Sequence, residues 1–226
     1  YLGGNKLSGS KWNENFPYIN LNSDQIIEKV SIDGIADRAN VAILCLPNGI
    51  SSTLTRGLLE NGLKVIDLSA DYRYKSLERW KRVYSKEATI YKRNDDDLCR
   101  EAVYGLPEIN KDEISKARLI ACPGCFPTSA LIPLIPFLSQ GIIESEGIVI
   151  DSKSGTSGGG REPNHKLMYS ECAEGLSAYG LINHRHTSEI EQIASSISVY
   201  DIQLLFTPHL IPMSRGIHST IYGRLR

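Results

Sequence analysis

The stretch from Val41 to Ser69 constrains the fold more than any other part of the chain. Val41 to Leu46 is a short, continuous apolar run that ends in a Pro-Asn-Gly turn, as a buried strand does. A helical pattern follows, with Ser51 and Ser52 as candidate N-caps, and Val65 to Ser69 is a second apolar run. Because the connections of this strand–helix–strand unit are short, the pattern predicts a parallel sheet.

The second half of the chain follows a different pattern. Ala117 to Ala121 predicts another strand of the first sheet, and a helix is expected to begin at Pro127 or Thr128. The residues from His218 to Arg224 alternate between apolar and polar, which is typical of a strand with one exposed face. We therefore predict an α/β fold whose second half holds a mixed or antiparallel sheet.

Composition excludes several classes of function. Lys and Arg number 25 against 26 Asp and Glu, so the net charge of −1 offers nothing to attract a nucleic acid or a membrane surface. No apolar run reaches the roughly 20 residues that a membrane helix needs. Five cysteines are too few, and odd in number, for a disulfide scaffold. We expect a cytoplasmic protein without nucleic-acid or membrane partners.

We predict no metal site. The pair His184-x-His186 lacks zinc-finger spacing, which weakens a zinc site built on Cys122 and Cys125. The charged stretch from Asp71 to Asp97 ends in three aspartates, but nothing near it has the spacing of a calcium loop. We interpret this acidic run, Asp95 to Asp97, as solvated surface.

Cys125 is the strongest candidate for a catalytic residue. It follows a predicted strand and a Pro-Gly turn and precedes a predicted helix, where backbone amides stabilise a thiolate. Burial as a small apolar side chain is the usual fate of a free cysteine, and a dithiol with Cys122 is a further alternative.

Polar residues near element boundaries are candidates for the rest of the site. His184 and His186 would project to one side of an extended segment and supply a proton carrier. His209 and Arg215 form a second polar cluster. Arg215 either binds an anion or is an ordinary surface residue, and the sequence does not decide between the two. The glycine-rich run from Ser154 to Arg161 either presents amides to a phosphate or ring, or is a flexible connection.

Six segments together resemble the N-acetyl-gamma-glutamyl-phosphate reductase family of the semialdehyde dehydrogenase superfamily. In chain order they are DLSADYR at 67–73, YGLPE at 104–108, PGCFPT at 123–128, SGTSG at 154–158, HRHT with EIEQ at 184–192, and TPHL with PM and RG at 207–216. The resemblance implies part of a Rossmann-like doubly wound sheet in residues 1–125. It implies an α+β catalytic and oligomerisation domain in residues 126–226.

The implied activity is NADPH-dependent reduction of N-acetyl-glutamyl 5-phosphate to the 5-semialdehyde, with release of phosphate, in arginine synthesis. By this resemblance Cys125 is the nucleophile and His184 the general acid/base. It further implies substrate contacts by His209, Arg215 and Glu189, NADP contacts by Leu46, Pro47, Ser69, Ser154, Gly155 and Gly158, and a homodimer or homotetramer. Alternatives are a reductase of aspartyl or N-acetyl-aminoadipyl phosphate and, more distantly, an inactive or redox-sensing remnant.

Two departures from the family pattern stand out. Cys122 occupies a position where the family has Asn, so a disulfide with Cys125 is a hypothesis for oxidative inactivation. The family's first strand, glycine-rich turn and helix, and its carboxy-terminal portion, are not found in these 226 residues. We expect an internal fragment of such a reductase.

Overall fold

The computed structural model describes residues 1–18 and 25–226, and its strands there form two four-stranded sheets. In the first sheet, every pairing is parallel and the order is β1-β2-β4-β3. Its strands are β1 (Val41–Leu44), β2 (Lys64–Asp67), β3 (Val103–Tyr104) and β4 (Leu119–Ala121). The predicted parallel sheet is confirmed.

The second sheet is mixed, as predicted, with the order β6-β7-β5-β8. Its strands are β5 (Ile148–Ser154), β6 (Ser177–Ala178), β7 (Leu204–Leu210) and β8 (Ile217–Tyr222). Strand β5 runs parallel to β7 and antiparallel to β8, while β6 is antiparallel to β7.

Helices connect these strands and cover the inner faces of the sheets. They are α1 (Trp12–Asn15), α2 (Ile32–Ala36), α3 (Ser51–Glu60), α4 (Leu77–Val83), α5 (Ser85–Ile90), α6 (Asp96–Glu101), α7 (Pro107–Lys116), α8 (Cys125–Ser139), α9 (Tyr169–Cys172) and α10 (Arg185–Ile197). Short 3-10 turns occupy Thr156–Gly159 and His165–Leu167. Within the described ranges, none of these helices has the length and apolar character required to span a bilayer.

The predicted capping of α3 is wrong. Its N-cap residue is Ile50, which makes no side-chain cap hydrogen bond. Instead the buried carboxylate of Asp71 accepts the amide N–H groups of Gly49, at 2.6 Å, and Ser52, at 3.0 Å. The first amides of a helix lack partners within it, and here a carboxylate from a different segment satisfies that of Ser52 and also binds the turn before the helix.

The acidic run from Asp95 to Asp97 is not all solvated surface, which corrects the expectation from the sequence, because Asp95 is buried. Arg93 is buried, forms an ion pair with Asp95 at 2.9 Å, and stacks 4.4 Å from the centre of the Trp80 ring. Tyr72 donates to the same Asp95 carboxylate at 2.7 Å. Charged residues lie inside because they neutralise and hydrogen-bond one another.

Helices α8 and α10 pack together on one face of the second sheet and form its core with Ile150 and Phe206. Helix α8 begins at Cys125, two residues before the earliest predicted start, and includes Pro133 and Pro136 without being shortened. Both prolines lie on its exposed side, away from the buried Leu131 and Leu134. This packing fixes the first turn of α8, and with it Cys125, beside the first turn of α10.

Candidate active site

Cys125 is exposed and is the first residue of α8, directly after its N-cap Gly124. The amides of a first helical turn have no carbonyl partner within the helix, and the positive end of the helix dipole lies there. Cys125 therefore combines access from solvent with an environment that favours an anionic sulfur.

Two histidines pack next to this turn, although not on the extended segment that was expected. His184 is the N-cap of α10, where its Nδ1 accepts the backbone N–H of His186 at 3.2 Å. The two rings are 5.0 Å apart, and the ring of Phe126 lies 5.6 Å from His184 and 5.9 Å from His186. The residue after Cys125 thus contacts both histidines.

Both imidazoles are neutral at pH 7. Burial, reinforced by Arg185, lowers the pKa of His184 to about 4. Burial, with His184, Arg73 and Arg185 adding to it, lowers the pKa of His186 to about 2. Because Nδ1 of His184 accepts a hydrogen bond, the proton of its neutral ring is on Nε2. His184 is therefore a hydrogen-bond donor through Nε2.

Position 124 requires glycine because the ring of His186 packs closely against its backbone. A Cβ atom there would lie 2.5 Å from Nε2 of His186, closer than any real contact. The ring of Tyr179 lies 5.7 Å from the imidazole of His184, and burial together with the nearby Cys125 raises the pKa of Tyr179. Sequence reasoning missed Tyr179, although its place five residues before His184 was a usable signal.

Glu189, expected to contact substrate, is fully buried at the centre of a polar network. Its Oε1 accepts the N–H of Gly124 at 2.9 Å and the hydroxyl of Tyr104 at 2.8 Å. Its Oε2 accepts Nη1 of Arg73 at 3.2 Å. This carboxylate is tied to the peptide that precedes Cys125.

Cys122 lies within this network and carries a free thiol, as do the other four cysteines. Its carbonyl accepts Nε of Arg73 at 2.8 Å, and its amide donates to the carbonyl of Asp67 at 2.8 Å. Burial, with the charge of Asp67, raises the pKa of the Cys122 thiol. At neutral pH the Cys122 thiol is therefore protonated and a poor nucleophile.

The residues expected to line NADP lie in two places. Leu46, Pro47 and Ser69 share the carboxyl edge of β1 and β2, the edge where open α/β sheets bind ligands. Asn48 joins their segments by accepting the amide of Ala70 at 2.9 Å, and the Ser69 hydroxyl donates to Asp67 at 2.6 Å.

The other three NADP candidates, Ser154, Gly155 and Gly158, follow β5 in the second sheet. The amide of Gly155 donates to the carbonyl of Gly216 at 2.9 Å, and those of Thr156 and Ser157 donate to Met213 and Ser214. This loop is therefore bound to residues 213–216, which include the exposed Arg215. A Cβ on Gly155 would lie 2.9 Å from the Arg215 nitrogen, so the two loops touch there.

His209 lies on the sheet face opposite α8 and α10. It alternates along β7 with the buried Phe206 and Pro208, which face those helices. Its Nδ1 is 3.1 Å from Asp151 Oδ1, and Lys153 pairs with the same carboxylate at 2.7 Å. The structure does not bring His209 to Cys125 within this chain. No group of three or more metal-ligating side chains occurs in the ranges that the structure describes.

Comparison with protein-family models decides the relationship. The model of the semialdehyde dehydrogenase NAD binding domain matches residues 1–117, and that of the semialdehyde dehydrogenase dimerisation domain matches residues 125–226. The chain belongs to the semialdehyde dehydrogenase family.

Relatives within this family are close in sequence. An N-acetyl-gamma-glutamyl-phosphate reductase of Prochlorococcus marinus subsp. pastoris is 81% identical over 226 residues, all of this chain and 64% of the relative. The enzyme of the same name from Prochlorococcus marinus strain NATL1A is 60% identical and is covered to 63%. The chain thus spans somewhat under two thirds of the length of these relatives.

Solved structures support the fold at much lower identity. Aspartate semialdehyde dehydrogenase II from Vibrio cholerae superposes with a TM-score of 0.65 at 14% identity, over all of this chain and 65% of that one. Aspartate semialdehyde dehydrogenase with NADP from Candida albicans gives 0.57 at 11% identity, over 99% and 63%. A semialdehyde dehydrogenase fold with a parallel and a mixed sheet is therefore shown.

Proposed function

We propose that the protein containing this chain reduces N-acetyl-glutamyl 5-phosphate to N-acetyl-glutamate 5-semialdehyde with release of phosphate, in arginine biosynthesis. The observation that carries the proposal is an exposed cysteine at a helix N-terminus beside a neutral histidine donor. Relatives that match along the whole chain and bear this enzyme's name support it.

The chemistry follows from the placement of Cys125. Its sulfur attacks the acyl carbon of the substrate, the carbon–oxygen bond to phosphate breaks, and phosphate leaves with the bonding electrons. The product is a thioester on Cys125. NADPH, when bound, supplies the hydride that reduces the thioester carbon.

His184 acts on the oxygen of the substrate carbonyl. Its Nε2–H donates a hydrogen bond to that oxygen and stabilises the negative charge that develops there in the tetrahedral hemithioacetal. The carbon–sulfur bond then breaks, the aldehyde leaves, and the Cys125 thiolate is restored. Because Nδ1 is already an acceptor and the ring is neutral, we assign His184 the role of hydrogen-bond donor to the substrate oxygen in place of the general acid/base role that the sequence suggested.

The carboxyl edge of the first sheet fits the dinucleotide. Leu46 and Pro47 present a partly exposed apolar surface for a planar ring, beside Ser69, and the Asp71 carboxylate fixes the backbone of the turn that follows. We propose that these residues hold NADP, together with the loop of Ser154, Gly155 and Gly158. Arg215 remains our proposed contact to an anionic group of the acyl phosphate, whereas His209 lies on the opposite face of the second sheet and is not proposed as a contact.

We also propose that the protein is a homodimer or homotetramer in the cytoplasm. The match to a dimerisation domain supports self-association. The face of the second sheet that carries Leu205 and Tyr222 is exposed, and we assign the contact between copies to it. Five free thiols favour a reducing compartment.

The test runs the proposed reaction in reverse: the full-length protein oxidises three aldehydes with NADP in the presence of phosphate. We expect N-acetyl-glutamate semialdehyde to react faster than the aspartate and N-acetyl-aminoadipate semialdehydes, Cys125→Ser to abolish the reaction, and Cys122→Ser to retain it. Faster turnover of another aldehyde would assign the enzyme to that substrate. Activity in Cys125→Ser, or absence of NADPH binding, would refute the proposal.

A further inference from the structure

Glu189 has no access to a substrate in this structure. The side chain is fully buried, and its two oxygens accept hydrogen bonds from Gly124, Tyr104 and Arg73. A buried carboxylate is tolerated only when it is paired and hydrogen-bonded. Arg73 supplies the opposite charge, and the three donors together supply the hydrogen bonds. Contact with a substrate would require breaking bonds that hold the carboxylate in place.

Arg73 extends the network to both sides of Pro123. Its Nε donates to the carbonyl of Cys122 at 2.8 Å, while its ion-pair partner Glu189 accepts the amide of Gly124. The third guanidinium nitrogen donates to the carbonyl of Leu68 at 3.0 Å, at the end of β2. The backbone from 122 to 124 is therefore held by side chains at its carbonyl and its amide.

Two donors of this network, Arg73 and Tyr104, keep their protons across the pH range of an assay. Burial lowers the pKa of Arg73, but Glu189, Tyr84 and Tyr104 together outweigh it, so the pKa is raised and the guanidinium stays charged. Burial and the charge of Glu189 strongly raise the pKa of Tyr104, which remains a hydroxyl donor. The bonds that these two donors make to Glu189 therefore do not depend on loss of their protons near neutral pH.

Helix α10 carries both Glu189 and the proposed hydrogen-bond donor. His184 caps this helix, and Glu189 follows five residues later on the same rigid element. The bond from Glu189 to Gly124 thus ties the residue before Cys125 to the helix that places His184. We propose that Glu189 is a positioning residue, which fixes the Cys125 sulfur relative to His184 and so sets its reactivity. This proposal rests on Cys125 being the nucleophile, as proposed above.

The test measures Cys125 itself, without substrate or NADPH. Full-length protein is alkylated with iodoacetamide at pH 7, and the rate at each cysteine is read by peptide mass spectrometry. Glu189→Gln keeps the shape of the side chain but removes its charge, so the ion pair with Arg73 is lost. The new amide NH₂ is a donor that faces another donor, the Arg73 guanidinium. We expect the alkylation rate of Cys125 to fall at least fivefold, and that of the exposed Cys45 to stay unchanged.

Glu191→Gln is the matched control, because this glutamate is on the same helix and, among the described residues, accepts a single long bond, 3.5 Å, from the Leu204 amide. Its Cys125 rate should equal that of the wild type. Tyr104→Phe removes one donor to Glu189 and should lower the Cys125 rate by a smaller factor. If Glu189→Gln does not fold, this variant decides, and an unchanged rate would overturn the proposal.

Steady-state kinetics separate positioning from substrate binding. A positioning role predicts that Glu189→Gln lowers kcat and leaves KM within about twofold. A large rise in KM with unchanged alkylation of Cys125 would overturn the proposal and restore the substrate contact expected from the sequence. Activity that survives Cys125→Ser would refute the proposed function instead. The alkylation rates of Cys125 in the wild type and in Glu189→Gln are measured without substrate, so they are independent of that result.

Discussion

Replacing Gly124 with alanine tests the packing beside Cys125 most directly. The backbone at Gly124, with φ −66° and ψ 157°, suits any residue, so alanine adds no backbone strain. The new Cβ, however, would lie 2.5 Å from Nε2 of His186 and 2.9 Å from two ring carbons. That ring is confined by Phe126 and His184 and has little room to retreat.

Two effects of opposite sign set the magnitude. Overpacking in a well-filled site costs about 1–3 kcal/mol. Replacing glycine at a compatible conformation restricts the unfolded chain and returns about 0.4–1 kcal/mol. We expect Gly124→Ala to lower the free energy of unfolding by about 1–2 kcal/mol, which is roughly 2–8 °C in Tm for a protein of this size.

A double-mutant cycle with His186→Ala isolates the clash. Without the imidazole ring, the added Cβ meets no obstacle, so Gly124→Ala should be neutral or stabilising in that background. Thermal or urea unfolding of the four proteins gives the coupling energy, expected at about 1–3 kcal/mol. Additive effects, or a single Gly124→Ala variant as stable as the wild type, would refute the packing argument.

Two further predictions concern pH and assembly. The pKa of His186 is about 2 in the folded state and about 6.5 when unfolded, so the unfolded state binds more protons below about pH 6.5, and stability falls as pH falls. The loss in free energy of unfolding attributable to His186 between pH 7 and pH 4.5 is about 2–3 kcal/mol. Urea unfolding should therefore show a flatter pH dependence of stability for His186→Asn than for the wild type. Equal pH dependence in the two proteins would contradict this prediction. Leu205→Asp, on the exposed face of the second sheet, should shift the protein toward monomer in sedimentation velocity with unchanged circular dichroism, and an unchanged oligomer would exclude this face as the contact.

The sequence predicts elements whose pattern is local. The unit β1-α3-β2 is visible because apolar runs, a turn and Gly62 are adjacent in the chain, and Gly62 does adopt a positive φ of 81° where the helix ends. The cap of α3 is not predictable in this way. Asp71 lies 19 residues beyond Ser52, and only the folded chain shows that its carboxylate meets that amide.

Burial of charge is hidden from the sequence for the same reason. An acidic run such as Asp95 to Asp97 has the composition of a surface segment, and Asp97 does pair with Arg56 at the surface. Asp95 differs because Arg93 and Tyr72 supply partners that remove the cost of burying it. Composition describes the average residue of a segment, whereas burial depends on the individual partner.

The Glu189 network gives a physical reason why separate motifs of this chain belong together. Arg73 comes from DLSADYR, Tyr104 from YGLPE, Gly124 from PGCFPT and Glu189 from EIEQ, four of the six segments by which the chain resembles its family. They are 65 to 116 residues from Glu189 along the chain, yet each donates directly to its carboxylate. Removing any one donor leaves a buried charge incompletely satisfied, at a cost of about 1–3 kcal/mol or more. A change in one segment therefore disturbs the peptide before Cys125 even when the segment itself touches neither substrate nor cofactor.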